Sequence, residues 1–230
     1  MSERVLRVAV PKGSLFPESV DLLGQAGLDV TGLDDPGRHL RIRNGDVEFI
    51  IVRATDAPTF TAYGGADCAI SGHDTIVEAG LEVIELVDLK FGGCRFVVAE
   101  PEQAAERVEA SYRSLGTLRV ATKYPRITKA YHDSIGMQVE IIKINGNVEL
   151  APLIGMADRI VDITATGRTL RENNLHIVSD VMESTARFIA NPASLRIDRR
   201  VRELADTLRG IAADKTPSAP IAGSANPTKS

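Results

Sequence analysis

Tryptophan is absent from the 230 residues, and cysteine occurs only at Cys68 and Cys94. Two cysteines cannot staple a domain of this size, and their spacing matches no metal site. The four histidines, His39, His73, His132 and His176, are scattered and fit no zinc pattern. No apolar run is long enough to span a membrane, and the opening MSERVLRVAVPKGS lacks the apolar stretch of a signal peptide. A reducing, cytoplasmic location is expected, with no membrane contact. A basic excess is also missing. The 27 Lys and Arg against 31 Asp and Glu leave a net charge of −4, which argues against nucleic acid as a partner. A small anion remains possible, because a few cations in one cleft do not show in a global sum.

What is present is a chain of ordinary globular composition, 43% hydrophobic and 25% charged. Short β-branched runs recur along it. Leu6–Val10, Phe49–Val52, Cys68–Ser71, Val83–Leu86 and Arg95–Ala99 read as buried strands of a first part. Leu118–Ala121, Gln138–Ile142, Arg159–Ile163, Leu175–Val178 and Ala186–Ala190 follow in a second. Apolar residues on both faces suit a mainly parallel sheet covered by helices. Helical patterns lie between the runs, such as Pro101–Leu115 with Ala104, Val108, Tyr112 and Leu115 on one face. The stretch DDPGRHLRIR reads as loop. The alternation predicts an α/β protein.

A faint internal duplication organises the whole. RVAVPK (Arg7–Lys12) pairs with RVATK (Arg119–Lys123), and EFIIVR (Glu48–Arg53) with EIIKIN (Glu140–Asn145). YGGADCAIS (Tyr63–Ser71) pairs with IGMADRIVD (Ile154–Asp162), and CRFVVAEP (Cys94–Pro101) with ARFIANPA (Ala186–Ala193). After the first, every match keeps an offset of 91 or 92 residues. Two similar lobes with a cleft and hinge are therefore expected, the last pair of segments marking the two crossings. Lobe I takes 1–93 plus 187–212, lobe II takes 94–186, and the Pro-, Ser- and Ala-rich 213–230 reads as a disordered tail. A helix bearing Ile197, Val201, Leu204, Leu208 and Ile211 finishes the fold. Asp67 and Asp158, at matching turns, read as structural.

VDITATGRTL (Val161–Leu170) is the sharpest chemical signal. A strand runs into small hydroxylated residues and a glycine, then into a helix-compatible TLREN, offering donors at a helix start. Thr164, Thr166 and Thr169 can donate to phosphate oxygens, and Gly167 permits close backbone approach. Asp162 can accept hydrogen bonds from the vicinal hydroxyls of a ribose. A 5-phosphoribosyl group fits that string. PKGSL (Pro11–Leu15) puts Lys12 and Gly13 at a strand's carboxyl end, where open α/β sheets place ligands. Lys123 is the counterpart of Lys12. Arg53 directly follows another strand and can fork onto a polyphosphate, and SGHD brings Ser71, Gly72 and Asp74 to a third such turn. Arg38 is the one loop arginine given a ligand role.

On these segments the chain resembles the short form of ATP phosphoribosyltransferase. The likeness runs from about residue 5 to about 210, through RVAVPKGSL, EFIIVRATDAPTFTAYGGADCAISGHD, DLKFGGCRFVVA, RVATKYPRIT, EIIKINGNVELAPLIGMADRIVDI and TGRTLREN. It implies a periplasmic-binding-protein-like (type II) pair of lobes. It implies a reaction of ATP with phosphoribosyl pyrophosphate that needs Mg²⁺, the opening step of histidine biosynthesis, with no metal ligand expected from the protein. Asp162, Thr164, Ala165, Thr166, Gly167, Arg168 and Thr169 would hold the donor. Lys12, Gly13, Arg38, Arg53, Ser71, Gly72 and Asp74 would meet ATP, with Lys12 and Arg53 the catalytic pair at the departing pyrophosphate. Short forms work with a separate regulatory subunit similar to histidyl-tRNA synthetase, and a homodimer is expected alone. Ser14 and His73 stand where relatives usually carry Arg and Lys, and Ala165 where many carry an acid.

Adenine N1 needs no deprotonation to act as a nucleophile, so no general base is expected. A non-catalytic solute-binding module on the same fold would be expected to carry an export signal. A Rossmann-like purine or pyrimidine phosphoribosyltransferase shares the D-x-x-x-T-G-x-T string, but has one sheet and no lobe duplication.

Overall fold

The structure, a computed structural model, describes residues 4–164 and 166–214. It divides into two compact units, one holding residues up to 93 and from 185, the other residues 94–184. The first unit contains β1 (Leu6–Lys12), α1 (Phe16–Gln25), β2 (Arg41–Asn44), β3 (Val47–Arg53), α2 (Ala57–Ala62), β4 (Cys68–Gly72), α3 (His73–Ala79) and β5 (Ile84–Asp88). The second contains β6 (Cys94–Pro101), α4 (Ala105–Leu115), β7 (Leu118–Thr122), α5 (Pro125–Ser134), β8 (Val139–Lys143), α6 (Leu150–Leu153), β9 (Arg159–Thr164), α7 (Arg168–Glu172) and β10 (Leu175–Ser184). The chain then re-enters the first unit with β11 (Ala186–Ala190), α8 (Pro192–Ile197) and α9 (Arg199–Asp214).

In the first unit the strand order is β2-β3-β1-β4-β11-β5. Alternation along β1 splits its side chains between two cores. Leu6, Val8 and Val10 join Leu22, Leu23, Val201, Leu204 and Leu208 beneath α1 and α9. Ala9 faces the other way, with Ala57, Ala69 and Ile76 under α2 and α3. In the second unit the order is β10-β6-β9-β7-β8, and Val97, Ala99, Ala121 and Ile160 pack beneath Val148, Ala151 and Leu170.

Dropping the edge strand β2, the two sheets have one design. β3-β1-β4-β11-β5 corresponds position by position to β8-β7-β9-β6-β10, with the same strand directions. The parallel registers repeat as well. Leu6 lies opposite Val47 and Leu118 opposite Val139; Val8 lies opposite Cys68 and Val120 opposite Arg159. The duplication read in sequence is thus a duplication of sheets. One slip separates them: Arg187 opposes Ser71, whereas Arg95 opposes Thr164, two residues beyond Ser71's counterpart Asp162. An even slip keeps every side chain on its face.

Several expectations need correction. The sheets are mixed rather than mainly parallel, because β6, β10, β11, β5 and β2 all pair antiparallel. Strands β6 and β11 enter their units without a crossover helix, and only parallel pairing demands one. DDPGRHLRIR ends in β2, an exposed edge strand whose arginines hid it among loop residues. Helix α4 begins at Ala105, since Pro101 still belongs to β6, and Leu115 is exposed beside its Gly116 cap. Ile197 is exposed on α8, outside the apolar face of α9. The second crossing falls at 184/185, because Ala186 exchanges backbone bonds with Leu89 and Phe91. Helix α9 continues to Asp214, held by the buried Ala212; the rest of the stretch read as a tail lies outside the described residues.

Candidate functional site

In the second unit, Ile160 and Val161 are fully buried and anchor β9. The strand then surfaces at Asp162, Ile163 and Thr164. The Thr164 hydroxyl accepts a hydrogen bond from the Gly167 backbone N–H at 2.7 Å, which folds the loop back on itself. Gly167 takes a left-handed conformation (φ 69°) as it opens α7, a geometry that favours glycine. Buried Leu170 pins the short helix to the core, and Arg171 donates to the Thr166 carbonyl at 3.1 Å. Thr166, Arg168 and Thr169 stay exposed. A cavity of about 220 Å³ results, lined by Glu149, Asp162, Ile163, Thr164, Thr166, Arg168, Thr169 and Leu170. Ala165 lies outside the described residues.

Two points qualify the sequence reading of this loop. The Gly167 amide is occupied by Thr164, and α7 has only five residues, so the helix dipole contributes little. Side-chain donors at the loop are the threonine hydroxyls and the Arg168 guanidinium, which spends its Nε–H on Glu172 at 2.7 Å and keeps its two terminal nitrogens. Thr164 Oγ accepts from Gly167 and still has its own proton to give.

Charge within the cavity is mixed. Burial raises the Asp162 carboxyl above the ordinary carboxylate range, and the Glu149 carboxylate pushes the same way; the Ile163 N–H and Lys123 oppose them. Lys123 follows β7, whose last residue Thr122 donates its hydroxyl to the Val161 carbonyl at 2.7 Å and accepts from the Tyr124 N–H at 2.9 Å. These bonds tie the ends of β7 and β9 together beneath the site. Glu149 was not singled out in the sequence, although it lies inside the segment EIIKINGNVELAPLIGMADRIVDI that carries the family likeness. Lys123 was noted only as a mate of Lys12.

In the first unit, β1 and β3 run parallel with Lys12 opposite Arg53. Two exposed cations therefore leave the carboxyl edge of the sheet on strands roughly 4.8 Å apart. Neither pairs with an acid among the described residues. Gly13 beside them has φ 99°. Strand β4, the other neighbour of β1, ends in Gly72, where a Cβ would collide with the Asp74 carboxylate. Register carries the segment before β2 past the end of β3, since Ile51 N–H bonds the Leu40 carbonyl, and this brings exposed Arg38 to the same edge. Ser71 differs from expectation: it is wholly buried, its hydroxyl 3.5 Å from the Gly72 carbonyl, and presents no surface to a ligand. His73 lies 3.0 Å from Glu85.

Comparison with known proteins adds to this geometry. A family model described as ATP phosphoribosyltransferase (HisG) matches residues 53–210. A protein of Rubrobacter xylanophilus named ATP phosphoribosyltransferase is 47% identical over 194 residues, 84% of this chain and 90% of that one. Among solved structures, the ATP phosphoribosyl transferase (HisG:HisZ) complex from Thermotoga maritima superposes with a TM-score of 0.76 at 32% identity, over 92% of this chain and 100% of that one. The GluR0 ligand-binding core follows at TM-score 0.53 and 12% identity, over 93% and 94% of the two chains, a likeness of fold alone. The expected α/β class of type II periplasmic-binding-protein-like domains holds. With nearly half of the aligned residues identical to such a relative across most of both chains, this chain belongs to the ATP phosphoribosyltransferase family.

Proposed function

We infer that this chain transfers the 5-phosphoribosyl group of phosphoribosyl pyrophosphate to N1 of ATP, releasing pyrophosphate and N1-(5-phosphoribosyl)-ATP, the first step of histidine biosynthesis. The carrying observation is the cavity at the end of β9. It sets exposed threonine hydroxyls and Arg168 beside a carboxylate at Asp162, matching a sugar phosphate's acceptors at one end and donors at the other.

The chemistry follows from the reactants. The N1 lone pair attacks C1 of the ribose while the C1–O bond breaks and its electrons leave with pyrophosphate. No proton is removed from the nucleophile, so the site needs positioning and charge neutralisation rather than a base. Lys12 and Arg53, exposed and adjacent at the carboxyl edge of their sheet, are proposed to receive the nucleotide or the departing pyrophosphate. Gly13, Arg38, Gly72 and Asp74 share that edge and complete the proposed nucleotide contacts. Mg²⁺ is proposed as the cofactor. No three His, Cys, Asp or Glu side chains among the described residues group to hold a metal, so the ion would be carried chiefly on the pyrophosphate oxygens, where it supplies charge neutralisation.

The Thermotoga maritima relative forms a HisG:HisZ complex, which supports a separate regulatory subunit here, similar to histidyl-tRNA synthetase; a homodimer is proposed for the chain alone. No helix among the described residues is long and apolar enough to cross a membrane, and the use of ATP supports a cytoplasmic site of action. The test is incubation with ATP, phosphoribosyl pyrophosphate and Mg²⁺, reading pyrophosphate and the absorbance of an N1-substituted adenine. Turnover of guanine or hypoxanthine instead of ATP would overturn the assignment in favour of a nucleobase salvage reaction.

A further inference from the structure

The amino end of the first sheet, about 20 Å along β1 from Lys12, carries two unlike surfaces side by side. One is a groove of about 620 Å³ behind α1, lined by Val20, Leu28 and Val30 and edged by Asp29, Asp34 and Asp35. Asp34 and Asp35 are exposed and pair with no cation among the described residues. The other is a knob at the junction of α8 and α9. Ile197 stands 69% exposed there, among the exposed Arg196, Arg199 and Arg202. Arg199 meets Glu203 at 3.4 Å and Arg202 donates to the Arg196 carbonyl at 3.4 Å, so Arg196 and Arg202 have no acid against them among the described residues. The turn between β2 and β3 separates the two surfaces. On one side the Asn44 amide donates to the Asp29 and Thr31 carbonyls at 2.7 and 3.0 Å. On the other, Arg200 holds Asp46 at 2.8 Å.

On the homodimer reading above, and independently of the reaction, we propose that a second copy of this chain docks at this end, each Ile197 knob entering the other copy's acidic groove. A two-fold contact needs a surface that is complementary to itself. A basic, apolar projection beside an acidic, apolar hollow meets that need, because a half-turn carries each over the other's counterpart. The charges set the pairing. Arg196 and Arg202 can fork onto the exposed carboxylates of Asp34 and Asp35, while Ile197 leaves water for Val20, Leu28 and Val30. A knob laid on a knob would set arginine against arginine, which suppresses the wrong register. Because the two-fold makes the contact twice, it doubles the area that one knob buries, towards what a stable dimer needs. The opposite edge of the sheet, with Lys12 and Arg53, stays open to ligand.

Sedimentation equilibrium of the full chain tests this with two double variants. Asp34→Lys with Asp35→Lys reverses the groove, and Arg196→Glu with Arg202→Glu reverses the knob. Each variant alone should dissociate, its dimer weakened about 100-fold or more, with an unchanged far-ultraviolet circular dichroism spectrum. Mixed in equal amounts, the two should form dimers again, since the reversed groove of one meets the reversed knob of the other and the two unaltered surfaces also meet. Unfolded variants could not give that rescue. Dimers that persist in each variant would overturn the proposal, and so would folded variants that stay monomeric after mixing. Loss of binding to the proposed regulatory subunit with the dimer intact would overturn it in that subunit's favour. A wild-type chain that is monomeric throughout would overturn it together with the homodimer reading, and would leave the transferase reading standing.

Discussion

Asp67 and Asp158, 91 positions apart, make the same pair of backbone bonds. The Asp67 carboxylate accepts the Arg7 N–H at 2.9 Å and its own N–H donates to the Arg7 carbonyl at 2.8 Å. Asp158 does the same with Arg119, at 2.8 Å for both bonds. Each aspartate thus latches the strand it precedes, β4 or β9, to that strand's parallel neighbour, β1 or β7. The two are unequal in surroundings. Asp67 is fully buried and also meets Arg4 and Ser194, whereas Asp158 is partly exposed.

Replacing these aspartates should therefore give unequal losses. Asp67→Ala strands Arg7 and a buried Ser194, and should cost about 3 kcal/mol. Asp158→Ala should cost about 1 kcal/mol. Chemical denaturation of both variants checks the order; equal losses would deny that burial separates them.

Asp88 makes a prediction about acid stability. Burial works to raise its carboxyl, but the Lys90 ammonium, the Thr185 hydroxyl, the Lys90 backbone N–H and the Arg187 guanidinium outweigh it and hold it down at about 2. A group depressed in the folded state stabilises the fold above its unfolded value, roughly 3.9. That stability disappears as pH falls through the folded value. Asp88→Asn should flatten the loss of stability between pH 4 and 2, measured by denaturant titration at each pH.

Much of this was legible in sequence, for reasons that vary by element. The inner strands β1, β4, β6, β7 and β11 are largely buried, and an apolar run is a direct imprint of that burial; β5, β8 and β10 lie at sheet edges and are half exposed, yet keep β-branched residues enough to be read. Strand β2 was hidden because an edge exposes its charges. The Thr164–Thr169 loop showed itself because a strand running into Thr and Gly has few other uses. Glu149 did not, since a lone glutamate gains meaning only when folding brings it to Asp162, and Ser71 looked available because a sequence cannot say which hydroxyl the core covers.

Thr164 tests the architecture of the loop. Thr164→Val removes the acceptor for the Gly167 N–H and should raise KM for phosphoribosyl pyrophosphate by about tenfold, the scale of one lost hydrogen bond to a charged ligand, with KM for ATP little changed. Thr164→Ser should restore most of the loss. Initial rates with each substrate varied in turn provide the check.

Arg53 and Lys12 test the proposed handling of pyrophosphate. If Arg53 stabilises charge only as the C1–O bond breaks, Arg53→Ala should lower kcat by about 100-fold with a smaller change in KM. Single-turnover measurements separate this step from product release, and a variant with unchanged turnover would discard the role.

The most direct measurement is a crystal structure of the chain with phosphoribosyl pyrophosphate bound. The account predicts the 5-phosphate against Thr164, Thr166 and Thr169, with the ribose hydroxyls turned to Asp162. A donor seated elsewhere, with the residues lining the β9 cavity untouched, would contradict it.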